Sequence, residues 1–184
     1  WEYYLNEREK NENPLMYAAK WNRLEMVQVL LQHEEINVNV QDEKGDTALI
    51  WAAEKGRTEV VKRLLKHPLI DVNVQDNIGQ TALMLSVYKR KKIPILEIVK
   101  ELLKRKEIDV NLQNRNGNTA LILTNYASNT YHREQVVEEL LEHDEIDVNV
   151  QNKDGDTALM VATKERNWGV LSQIVYRYKK ISKE

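Results

Sequence analysis

Paired aliphatic residues recur along the chain at helical spacing. Val60, Val61, Leu64 and Leu65 fall where one face of a helix becomes apolar and the opposite face stays polar. The signature returns as Met26, Val27, Leu30 and Leu31, as Ile98, Val99, Leu102 and Leu103, and as Val136, Val137, Leu140 and Leu141. Leu171, Ile174 and Val175 make a looser copy. A shorter helix is predicted ahead of each; the clearest spans Ala48 to Lys55, where small Ala52 and Ala53 permit close approach and Gly56 ends the helix. Its partner is predicted over Glu59 to Lys66. An isolated helix pair cannot bury such faces, so neighbouring pairs must stack into one continuous core.

The polar positions between helices are as regular as the apolar ones. Thr-Ala-Leu stands at Thr47, Thr81, Thr119 and Thr157, with Asn13-Pro14-Leu15 as a degenerate fifth copy. The offsets are 34, 34, 38 and 38 residues. An Asn (Asn39, Asn73, Asn111, Asn149) precedes each Thr by eight residues, and a Gly (Gly45, Gly79, Gly117, Gly155) by two. Stretches such as Asp42-Glu43-Lys44-Gly45-Asp46 have turn chemistry, and the following Thr suits a helix N-cap.

These motifs strongly resemble the ankyrin repeat family, in which a β-turn leads into two antiparallel helices in units of about 33 residues. The resemblance covers roughly Arg8 to Lys180. It rests on the turn Gly, the Thr-x-Leu-x-x-Ala opening, the Leu-Leu of the second helix and the Asp-Val-Asn at Asp71, Asp109 and Asp147. It implies an all-α fold: an ankyrin-repeat solenoid of about five helix-turn-helix units with protruding β-turns. One domain over 1–184 is expected, with repeats at approximately 8–41, 42–75, 76–113, 114–151 and 152–184 after an N-terminal extension, 1–7. The Pro-Leu-His that follows the family's Thr is here Ala-Leu followed by Ile50, Met84, Ile122 or Met160, so apolar packing must replace the hydrogen bonds of that His. One residue is added after the second helix, and the first turn carries Asn11 in place of Gly. Units three and four each gain four residues, around Lys89 to Pro94 and Ser128 to Arg133, which are expected to form a local ridge.

Composition narrows function by exclusion. The 184 residues carry a formal net charge of −2, so no overall positive field draws in nucleic acid. The lone basic run, Lys89 to Lys92, has no interleaved stacking aromatics and reads as a solvated turn ahead of an import-like signal. No apolar run approaches the length of a membrane span. The absence of cysteine removes disulfides and thiolate chemistry and fits a cytoplasmic or otherwise intracellular setting. His33, His67 and His143 occupy equivalent positions, one inter-helix step or more apart, too far to share a metal; a helix C-terminus accounts for them. No glycine falls in a phosphate loop, no serine in a nucleophile elbow, and no acid–base pair stands out. No enzyme, cofactor or metal is expected.

A protein partner remains. The chain lacks Phe, so Trp and Tyr supply every ring. Aligned repeats put Tyr17 and Trp51 in one first-helix column, with Tyr88, Tyr126 and Trp21 near the same helices' ends. The resemblance implies that first helices line a concave face, where such rings would form a binding groove. Turn tips add a second contact set, including Ile78, Arg115, Asp46 and Asn118, and Lys89 opens the basic run. The expected function is therefore a monomeric protein–protein interaction module. The alternative is the targeting part of a larger enzyme or effector, suggested by a start, Trp1-Glu2-Tyr3-Tyr4, without an initiator Met. The Asn positions resemble those hydroxylated in animal ankyrin repeats, with turn capping as their structural role.

Overall fold

A computed structural model describes residues 13–88, 95–127 and 132–181. The turn at Asn11, the basic run with Lys89, and most of both insertions, including the ridge expected of them, lie outside the described residues.

Ten α-helices follow in pairs among the described residues. They are α1 (Pro14–Lys20), α2 (Leu24–Leu30), α3 (Ala48–Lys55), α4 (Thr58–Leu65), α5 (Ala82–Tyr88), α6 (Ile95–Leu103), α7 (Ala120–Leu123), α8 (Arg133–Glu142), α9 (Ala158–Lys164) and α10 (Trp168–Ile181). First helices pack on first helices (α1, α3, α5, α7, α9) and second helices on second helices (α2, α4, α6, α8, α10), giving two layers. Between the layers runs one core, with Val27, Val61, Val99 and Val137 fully buried in successive units. Ile50, Met84 and Ile122 are equally buried, so apolar packing does fill the position of the family's His.

Each first helix begins where its cap dictates. The side chains of Asn13, Thr47, Thr119 and Thr157 accept the N–H of Met16, Ile50, Ile122 and Met160, and Thr81 does the same for Met84. Gly56 closes α3 at φ +69°, a left-handed conformation that glycine adopts without a Cβ clash. Its counterparts Asn22 and Arg166 take the same conformation at φ 58° and 56° without that freedom. In unit four the first helix tightens after one turn into a 3-10 segment, Thr124–Tyr126. Thr124 and Asn125 replace the two small alanines of α3, and their side chains bond back to the carbonyls of Leu121 and Ile122.

The asparagines do more than cap turns. Asn39 donates from Nδ2 to the Leu69 carbonyl at 2.7 Å and accepts the Asp71 N–H at 2.9 Å, both in the next unit. Asn73 holds Glu107 and Asp109 in the same way, and Asn111 holds Glu145 and Asp147. A glutamine ladder runs beside it: Gln41, Gln75 and Gln113 each bridge their own turn glycine's carbonyl to the carbonyl of the next glutamine. The recurrence of Gln two residues after each Asn is visible in the sequence, but its inter-repeat role is not. The histidines are also local devices, since the His67 and His143 rings accept the N–H of Leu69 and Glu145 through Nδ1.

Candidate protein-binding site

The turn tips are locked to each other through the backbone. Within each tip an Asp or Asn side chain (Asp42, Asp76, Asn114, Asn152) accepts the N–H groups two and four residues on. Between tips, the N–H of Asn77, Arg115 and Lys153 donates to the carbonyl of Lys44, Ile78 and Asn116 at 2.7, 2.9 and 3.0 Å. Glycine is required by this closeness as well as by its positive φ. A Cβ on Gly45 would lie 2.6 Å from the Asn77 nitrogen, and one on Gly117 would lie 2.7 Å from the Lys153 nitrogen. The result is a rigid edge with exposed side chains mounted on it. Asp46 and Asn118, expected among those contacts, are instead buried; Asn118 accepts a hydrogen bond from the Asn152 side chain.

Where that edge meets the first helices of units three and four, a cleft of about 770 Å³ opens. Five of the residues singled out in the sequence line it: Ile78 and Arg115 from adjacent tips, the mostly buried Asn118, and Tyr88 and Tyr126 from the ends of adjacent first helices. Tyr88 and Tyr126 are equally exposed, at 39% each, so neither ring is spent in the core. Neither Arg115 nor the neighbouring Lys153 has an ion-pair partner among the described residues, whereas Lys62, Lys100 and Lys104 on the second helices, and Lys164 near Tyr126, are paired with carboxylates. Partial burial pushes the Tyr126 hydroxyl's pKa up, and Glu165, Asp156 and Asp154 push it further. The cleft thus combines two half-exposed rings, one apolar tip and a guanidinium without an ion-pair partner among the described residues, beside a hydrogen-bonded tip ladder.

The other aromatic residues lie elsewhere. Tyr17 and Trp21 form an exposed pair in unit one, with ring centroids 6.3 Å apart. Trp51 corrects an expectation: it is only 7% exposed and is not an open groove ring. Its Nε1 donates to Asp42 at 3.0 Å, and the Lys20 and Lys55 ammonium groups sit 4.0 and 5.0 Å from its ring centre. Burial, followed by the nearby Lys20 charge, lowers the Lys55 pKa. Deep placement in unit two decides this, because Tyr17 in the same column of unit one is left open.

One polar network has no counterpart in the sequence reading. Buried Asn125 accepts from Asn167 of the next unit, whose Nδ2 donates to the Asn125 carbonyl at 2.9 Å and to its Oδ1 at 3.2 Å. The Arg133 guanidinium bonds Asn167 and the Ala127 carbonyl, and burial lowers its pKa. These residues bind units four and five together.

Turn–helix–helix units, repeated in two layers and joined by ladders of carboxamides and turn backbone, define a helical repeat solenoid. A family model described as ankyrin repeats in three copies matches residues 15–114 and again 83–183, and the chain belongs to the ankyrin repeat family. Among solved structures, it is similar to the crystal structure of EF0377, an ankyrin repeat protein. The two are 25% identical with a TM-score of 0.83, and the match covers 94% of this chain and 84% of that one. No curated protein matches the chain. Ankyrin repeats generally serve as protein–protein interaction modules and are typically non-catalytic.

Proposed function

We propose that this chain binds a protein partner through the cleft of units three and four, without covalent chemistry. The observation that carries this reading is the convergence of Ile78, Tyr88, Arg115 and Tyr126 on one cleft whose walls are fixed by the tip ladder. Tyrosine and arginine are the residues that dominate interface energetics when they sit centrally and lose water on binding. A rigid wall removes the ordering cost that a flexible loop would impose on association. Tyr17 and Trp21 provide a second, separate contact patch at the first unit, and the buried Trp51 supports the surface between them as a platform for Lys20 and Lys55.

Affinity capture followed by titration of the recovered partner tests the reading, comparing the native chain with Tyr88→Ala, Tyr126→Ala and Arg115→Glu. Each change is expected to weaken binding by at least about fivefold, the effect of losing more than about 1 kcal/mol at an interface centre. Melting curves should remain native, because these side chains are exposed. Unaltered affinity in all three variants would sink the assignment of the cleft. Trp51→Ala is a poor probe here, because removing a buried ring disturbs the stack itself.

A further inference from the structure

The second-helix layer is laced by ion pairs from one unit to the next. Lys62 of α4 reaches Glu97 of α6 at 2.6 Å, and Lys100 of α6 reaches Glu139 of α8 at 2.9 Å. Both lysines stand in one column of the repeat, which continues as Glu138 and Ser172. One helical turn on, a second column reads Lys66, Lys104, Glu142 and Tyr176. Each column changes from cation to carboxylate at unit four, and unit five puts no cation in either. The lacing stops there. Among the described residues neither Glu138 nor Glu142 has an ion-pair partner. Lys100, already held by Glu139, feels the two only as weaker charges.

Between α8 and α10 these two carboxylates line a groove of about 400 Å³. Glu138 and Glu142 are exposed, and buried Leu141 lies in the same wall. The α10 wall carries Ser172 and the 71% exposed Tyr176, with Gln173 and Arg177 half-buried. This exposure does not depend on the end of the stack, because Lys66, Lys100 and Lys104 are exposed in the same two columns inside it. No α10 side chain among the described residues donates to either carboxylate: the Ser172 hydroxyl goes to the Gly169 carbonyl, and Arg177 Nε is buried without a partner. Two carboxylates against the one Arg177 guanidinium leave the groove with a charge of −1. Acid also dominates α8 itself, where Glu134, Glu138, Glu139 and Glu142 stand with Arg133, whose guanidinium is turned to Asn167 and the Ala127 carbonyl.

We infer that this groove docks a basic peptide segment of a partner protein, with an arginine or lysine side chain laid between the Glu138 and Glu142 carboxylates and the Tyr176 ring. The argument is charge complementarity: the occupant supplies the cation that both columns lose at unit four. Lys62, held by both Glu59 and Glu97, shows inside the stack the arrangement that the partner's cation would complete. Carboxylates reward a guanidinium or ammonium with charge-assisted hydrogen bonds, and an aromatic face adds its own attraction for a cation. The aliphatic stem of such a side chain can pack along the apolar wall at Leu141. An acidic segment would instead meet like charge. The groove lies in the second-helix layer, away from the tips and first helices that form the cleft, so it does not rest on the function proposed above.

Calorimetric titration of the 184-residue chain with acetylated, amidated tetra-arginine at low salt tests this, since screening weakens exposed charge contacts. Glu138→Gln combined with Glu142→Gln should weaken binding by about tenfold or more, through the loss of two charge-assisted contacts. Tyr176→Ser should weaken it about threefold, the size of an exposed cation–π contact. Glu25→Gln with Glu34→Gln, which removes the same charge from unit one, should bind like the native chain, and so should Tyr88→Ala. Melting should stay native throughout, because every changed side chain is exposed. A native chain that does not bind the peptide would overturn the inference, as would native affinity in the Glu138 and Glu142 variant or in Tyr176→Ser. Equal weakening in the Glu25 and Glu34 variant would also overturn it, by reducing the attraction to net charge. Weakening by Tyr88→Ala would do the same, by moving the peptide to the cleft. Partner affinity at the cleft is read with other variants, so the two readings fail separately.

Discussion

Two glycines in equivalent turns carry different constraints. Gly117 and Gly155 share the left-handed backbone, at φ +76° and +78°. Only Gly117 also lies under a neighbouring tip, with Lys153 and Asn152 backbone atoms within 3.0 Å of where a Cβ would stand. Alanine at Gly155 should therefore cost about 1–2 kcal/mol from conformation alone. Alanine at Gly117 must displace backbone as well, adding about 1–3 kcal/mol of overpacking. Chemical denaturation of the two variants checks this; equal losses would mean that tip-to-tip contact contributes nothing. Both glycines look alike in the sequence, since their difference depends on whether another tip follows.

At the scale of the element, the asparagine ladder ties each second-helix loop to the next. Asn73 makes two bonds across that boundary, at 2.6 and 2.9 Å. Asn73→Ala should lower stability by about 1–2 kcal/mol, a net value for two hydrogen bonds of which one partner each is left to solvent. Among the described residues Asn149 has no such pair; it accepts from the Tyr178 hydroxyl. Asn149→Ala should cost less than Asn73→Ala in the same urea titration, and the reverse order would refute the ladder. The helices themselves were legible because apolar spacing and Thr caps act within a few residues. The prediction for α3 coincides with the observed Ala48–Lys55, and that for α4 is one residue late at each end. The 3-10 segment at Thr124 was not legible, because it depends on side chains choosing local carbonyls over the helical path.

For the whole molecule, stability is a sum of units and the interfaces between them, and charged surroundings make part of it depend on pH. The Tyr126 hydroxyl is held above its ordinary pKa, first by burial and then by Glu165, Asp156 and Asp154. With its folded pKa above its unfolded one, Tyr126 contributes stability that is complete below the unfolded phenol value. That contribution is lost as pH rises through the folded value. Tyr126→Phe should flatten the alkaline decline of the melting temperature while leaving neutral pH unchanged. A decline of the same slope in the variant would show that Tyr126 titrates as it does in the unfolded chain.

The sequence by itself determined the family, the turn–helix–helix unit and the core columns, and it singled out Ile78, Tyr88, Arg115 and Tyr126, which line the cleft. Each of these follows from fixed offsets and short-range chemistry. Tertiary structure alone decided which rings are open: Trp51 lies under two lysines while Tyr88 and Tyr126 face a cleft. It also turned the asparagines and glutamines into ties between units, and left Met160 exposed where Ile50 is covered. The physical reason is common to all three. A residue's spacing places it on a face, but the neighbour that covers or leaves that face lies 34 to 38 residues away.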